Sequence, residues 1–158
     1  MEEQATVVMN AIRRVVKALR QAEVNSTEGL AVGAAQLFVL REVAKAGVLT
    51  VTELARRTAT SQSSVSEVVS RLATRGLVVR GQSEGDRRRA AISLTLEGTA
   101  LLARSVETVQ ERMIAAFRRL PPARQEALAS TLGEWIAESG MGDLEATMFF
   151  EPGARRET

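Results

Sequence analysis

The 158-residue sequence predicts a mainly α fold with a small β-hairpin wing. Three observations predict it. Two short amphipathic helices follow one another between Thr50 and Gly76 across a polar turn, an arginine-rich segment of period two comes directly after them, and longer helical stripes lie on both sides. Phe38, Phe117, Phe149, Phe150 and Trp135 are the whole aromatic complement, so aliphatic side chains must fill the core, which favours helix over sheet.

Taken in order, Val8, Ile12, Val15 and Leu19 recur at helical spacing, and that first helix fades into a polar linker from Glu23 to Gly29. A second helix runs from about Ala34 to Ala46, with Leu37, Leu40 and Val43 inward and Gly47 as its stop. Thr50 opens the third, because its hydroxyl can accept from the Glu53 amide while the Glu53 carboxylate reaches back, a Thr-x-x-Glu capping box. This helix ends in Thr58-Ala59-Thr60-Ser61, and Ser61 can cap the next. In the fourth helix Val65, Val68, Val69 and Leu72 form one apolar stripe, and Gln62, Ser63, Ser64, Ser66, Glu67, Ser70 and Arg71 occupy the other faces. Gly76 ends it.

From Leu77 the period becomes two: Leu77 and Val79 alternate with Val78 and Arg80, and further on Ile92 and Leu94 alternate with Ala91 and Ser93. Gly81 to Arg89 should form a flexible cationic tip. Thr95 then caps a helix expected to run unbroken to Arg119, with Leu102, Val106, Val109, Met113 and Phe117 as a nearly heptad stripe. Pro121-Pro122 breaks the chain and starts a last helix with Leu128, Leu132, Trp135 and Ile136 on one face, followed by a tail holding Leu144, Met148, Phe149 and Phe150.

Charge and composition restrict the chemistry. Residues 48–98 hold eight arginines against five acids, whereas residues 99–158 hold seven against nine, so the positive field gathers on the helix pair and hairpin. The preference for Arg over Lys fits either a GC-rich genome or selection for bidentate and minor-groove contacts. With no Cys and no His, the chain has no disulfide, thiol sensor, Cys or His metal ligand or Ser-His-Asp triad, and neither catalysis nor a cofactor is expected. The acidic start and the lack of a long apolar run predict neither a signal peptide nor a membrane span, hence a cytoplasmic protein.

The run Ser64-Val65-Ser66-x-x-Val69-x-Arg71-Leu72-x-x-Arg75-Gly76-Leu77-Val78, then Asp86-Arg87-Arg88, then Leu94-Thr95-x-x-Gly98, resembles the MarR family of bacterial winged helix-turn-helix regulators. The resemblance spans most of the chain. It implies one domain over 1–158, with N- and C-terminal dimerisation helices at about 4–23 and 96–150 around a DNA-binding lobe at about 33–95, recognition helix 62–75 and wing 77–94. It also implies a homodimeric repressor of its own or neighbouring genes that binds a pseudo-palindromic operator in double-stranded DNA and is released by a small, possibly aromatic or phenolic, ligand. The candidate pocket lining, Val16, Phe38, Leu102 and Met113, cannot be told from core, and no ligand residue is assigned.

The DNA-contacting set expected on this basis is Gln62, Ser63, Ser64, Ser66 and Glu67 at base edges, Arg71 nearer phosphate, and Arg87, Arg88 and Arg89 at the wing. Either Arg88 or Arg87 would enter the flanking minor groove, and Asp86 would hold the tip by pairing with an arginine. Glu67 departs from the family, in which this position is often basic; it could accept from cytosine N4 or serve as a cap with Ser64. The alternative function, a winged helix used only for protein interaction, gives no reason for three arginines at the tip.

Overall fold

The computed structural model describes residues 2–27, 32–83, 86–144 and 146–148, and for 22–27, 82–83 and 86–90 it describes the backbone alone. Among these lie seven helices and a three-stranded sheet: α1 (Glu2–Thr27), α2 (Ala34–Ala46), β1 (Val48–Leu49), α3 (Val51–Thr58), α4 (Gln62–Thr74), β2 (Val78–Ser83), β3 (Asp86–Leu94), α5 (Leu96–Ala103), α6 (Val109–Arg118) and α7 (Pro122–Glu138). The sheet is antiparallel, ordered β1-β3-β2.

The core belongs to the middle of the chain. Leu37, Phe38, Val39, Leu40 and Val43 of α2 pack with Leu54 of α3, Val65, Val68, Val69 and Leu72 of α4, and Leu49, Val78 and Ile92 of the sheet. Each large aliphatic side chain so buried contributes about 1.5–3 kcal/mol, enough for the cluster to organise this lobe.

Local chemistry sets the boundaries. Thr50 and Glu53 form the expected capping box, with the Thr50 amide donating to Glu53 Oε2 at 2.8 Å and the Glu53 amide to Thr50 Oγ1 at 3.3 Å. The bond from the Thr50 amide, joined by one from the Thr50 hydroxyl at 2.8 Å, holds the Glu53 carboxyl below its ordinary pKa. Gly76, at φ +69°, ends α4 in a Schellman arrangement: its amide donates to the Ala73 carbonyl and the Leu77 amide to that of Leu72. Thr95 then binds the same exit, its amide donating to the Leu77 carbonyl and its hydroxyl to that of Gly76 at 2.7 Å. Gly98 closes the joint. A methyl group on Gly98 would collide with the Leu77 carbonyl oxygen, so α5 can lie here only with glycine at this place.

Four expectations change. The helix expected from Thr95 to Arg119 is two helices, because Thr108 and Glu111 build a second capping box that starts α6 afresh after Ala103. Val106 consequently sits exposed in the break, while Val109 is buried within the protomer and is not part of an outward stripe. Helix α1 continues to Thr27, through much of the expected linker. In the tail Leu144 is exposed, Met148 is only 2% exposed and joins the lobe core, and Phe149 and Phe150 lie outside the described residues.

The terminal helices contrast with the lobe. Of the side chains described in α1 only Leu19 is buried, with Val7, Val8, Met9 and Val16 exposed, and α7 buries none, leaving Leu128 and Leu132 each 47% exposed.

Candidate nucleic-acid interface

Helix α4 is divided lengthwise. Val65, Val68, Val69 and Leu72 face the core, whereas Gln62, Ser63 and Ser70 are exposed and Ser66, Glu67 and Arg71 half-buried on the other side. The buried stripe fixes the helix and leaves its polar flank at the surface.

Ser64 stands apart from the expected contact set. It is only 6% exposed, its amide donates to Ser61 Oγ at 3.2 Å and its hydroxyl accepts from Ser61 Oγ at 2.9 Å. Ser64 therefore belongs to the N-cap of α4 and is largely withdrawn from the surface. Glu67 takes no part in that cap. Its carboxylate instead lies 3.7 Å from Arg71 one turn on, a surface ion pair that moderates the negative charge on the face.

Arg80 was not singled out by the sequence, although it reaches the same face. In the antiparallel register Arg80 pairs with Ile92, which is fully buried, so it shares the helix-facing side of the sheet and extends past the core edge to α4. Its Nη2 donates to Ser70 Oγ at 2.8 Å and to the Ser66 carbonyl at 3.4 Å. No short-range sequence signal marks it, since the contact depends on strand register.

At the hairpin, Asp86, Arg87, Arg88 and Arg89 lie on the backbone of β3, and Ser83 pairs with Asp86, so the arginines follow a much shorter tip than the nine-residue loop expected. The side chains of these four residues lie outside those described. Val79 faces solvent and Val78 the core, so the inward phase of β2 starts at Val78.

Behind the interface a cavity opens between α2, α3 and α6, bordered by Phe38, Glu42, Arg57, Glu111, Ile114 and Arg118. Of the four candidate pocket residues, Phe38 lines it and Val16, Leu102 and Met113 do not. No helix among the described residues is long and apolar enough to cross a membrane.

A polar-faced helix held against a helical partner and followed by an arginine-bearing hairpin can lie along a duplex groove. The sequence pattern of the MarR family matches residues 32–89, the stretch that builds α2 to the start of β3. Over that stretch the chain is similar to the MarR family. Over 73 residues it is 41% identical to the HTH-type transcriptional repressor MdtR of Bacillus subtilis (strain 168), a match covering 46% of this chain and 47% of that protein. The matched stretch thus spans about half the length of that relative. A mutant MarR from E. coli complexed with operator DNA shares the fold, at TM-score 0.59 and 22% identity over 84% of this chain and 96% of that one. BpsR of Bordetella bronchiseptica, whose DNA binding is described as regulated by 6-hydroxynicotinic acid, aligns at TM-score 0.55 and 27% identity, covering 83% of this chain and 91% of its own.

Proposed function

We propose that this chain is a regulator of the MarR type: a homodimeric DNA-binding transcriptional regulator, a repressor of its own or neighbouring genes that holds a pseudo-palindromic operator until a small molecule releases it. The observation that carries the reading is α4, whose apolar half is fully buried while Gln62, Ser63, Ser66, Glu67, Ser70 and Arg71 remain at the surface beside Arg80. Such a helix fits the major groove. Gln62 and Ser63, at the N-terminal end of α4, would read base edges, Ser66 and Glu67 the next turn, and Arg71 with Arg80 the phosphates. In the wing, Arg87, Arg88 and Arg89 would meet the minor groove and backbone while Asp86 steadies them.

Two recognition helices imply two chains. The exposed apolar side chains of α1, α6 and α7, among them Val8, Val16, Met113, Phe117, Leu128 and Leu132, support an isologous dimer of the terminal helices. Release by a small aromatic acid is supported by the likeness to BpsR alone.

The test is fluorescence anisotropy with a labelled duplex taken from the intergenic region beside the protein's own gene, titrated at several salt concentrations. Saturable binding that competes poorly with unrelated DNA and weakens linearly in log-log salt is expected. Equal affinity for every duplex, or none, would overturn the reading.

A further inference from the structure

The break between α5 and α6 is held by one residue from elsewhere in the chain. Arg41, in the middle of α2, donates from Nε to Glu111 Oε2 at 3.1 Å and from Nη2 to Ser105 Oγ at 3.0 Å and to the Val106 carbonyl at 2.7 Å. One guanidinium therefore grips both sides of the joint: the connecting segment through Ser105 and Val106, and the first turn of α6 through Glu111. Glu111 is the hub. Its side chain is 3% exposed, and Oε2 also accepts from the Thr108 amide at 2.8 Å and the Thr108 hydroxyl at 2.9 Å.

From this hub charges continue into the helix-turn-helix. Lys45 Nζ lies 3.7 Å from Glu111 and 2.8 Å from Glu42, and the second oxygen of Glu42 lies 3.6 Å from Arg57 in α3. Helix α6 touches the end of α3 directly as well, where Gln110 donates to the Thr58 carbonyl at 3.5 Å and Arg118 to that of Arg57 at 3.3 Å. Arg57 and Thr58 close α3, just ahead of the turn that leads into α4. The placement of α6 against α2 and against the end of α3, the helix that leads into α4, is thus set by one connected group of polar contacts.

We propose that Arg41 is a positioning residue for operator binding: by clamping the α5–α6 joint it fixes the orientation of the recognition helix relative to α6, and through it the separation of the two recognition helices in the dimer. The inference rests on the dimeric, DNA-binding reading above. A fork with several donors in one plane suits the task, because it can satisfy a carboxylate, a hydroxyl and a carbonyl at once, which an ammonium on a flexible stem does less well. The buried Glu111 carboxylate gives the fork a partner that is costly to leave alone.

The absence of cysteine makes a direct test simple. Spin labels placed through Ser63→Cys in α4 and Ala116→Cys in α6, with labelled chain diluted into unlabelled chain, report the distance within one protomer. A narrow distribution is expected for the otherwise native protein, and a distinctly wider one for Arg41→Ala, with Arg41→Lys between them. Arg41→Ala should also weaken operator binding by roughly tenfold and reduce the penalty for moving the half-sites apart by one base pair, while the dimer persists. An unchanged distance distribution with unchanged spacing preference overturns the proposal. If Arg41→Ala unfolds, the same readouts on Arg41→Lys decide, and a native distribution with native spacing preference there overturns it too. A native protein that binds no operator removes the functional reading, whereas the distance measurement still decides the clamp.

Discussion

The winged lobe and the terminal helices are built from similar residues and end in opposite conditions. In the lobe every large aliphatic of the α4 stripe is fully buried, and each helix start from α3 to α5 has a side-chain cap. In α7 no residue is buried, and its leucines are half-exposed. The difference teaches that the lobe is a finished folding unit within one chain, whereas α1 and α7 carry hydrophobic stripes whose burial needs another surface. Stability is therefore written in the lobe, and the proposed assembly in the terminal helices.

The widest contrast is expected between leucines in the two regions. Leu40→Ala, in the fully buried α2 stripe, should lower lobe stability by about 2–5 kcal/mol, read as a shift in the denaturant midpoint. Leu128→Asp should leave the lobe's own stability within about 0.5 kcal/mol and instead disperse the dimer in sedimentation. A monomeric native protein, or a Leu128→Asp variant that stays dimeric, would erase the distinction.

Within the proposed DNA face a second contrast sharpens the first. Gln62→Ala should change preference at a defined base pair by roughly 1–3 kcal/mol if its contact is bidentate, whereas Arg88→Ala should weaken binding to all sequences and flatten the salt slope by about 0.9. Matching losses across every operator variant for Gln62→Ala would move that residue to the backbone, and an unaltered slope for Arg88→Ala would remove the wing from the interface.

The smallest effect concerns the turn between α3 and α4. Ala59 adopts φ +53°, a left-handed conformation costing a residue with a Cβ about 1–2 kcal/mol, while glycine would lose additional chain entropy worth about 0.5–1 kcal/mol. Ala59→Gly should consequently raise lobe stability by roughly 0.5–1 kcal/mol without altering dimerisation. A drop in the melting temperature would show that the Ala59 methyl makes contacts outweighing its strain.

What could be read from sequence was what depends on near neighbours. The Thr50–Glu53 box, the Ser61 cap and the Gly76 exit each involve residues within five positions of one another, so spacing alone reveals them. The same signature at Thr108-Val109-Gln110-Glu111 was present too, but an apolar period running from Leu102 to Phe117 concealed it, and the Arg41 contacts that hold the break reach across more than sixty positions. Strand β1 has two residues, too few for a period to register. Arg80 was hidden for another reason: its placement follows from pairing with Ile92, which only the folded sheet supplies. Ser64 looked like a surface hydroxyl because a serine on the flank of a helical stripe carries no mark of burial.

The joint at Thr95 and Gly98 bears on how the hairpin can vary. Both strands are anchored at their base, since the Leu77 carbonyl accepts the Thr95 amide and leaves no room for a side chain at Gly98. An inserted residue between Leu94 and Gly98 would pull the cap off that carbonyl and rotate α5 by about 100°. Residues added at the tip face no such constraint, because ladder pairs below them keep their register. The wing can therefore gain or lose reach in descendants of this chain as an exchangeable part, while the lobe that carries it stays the same.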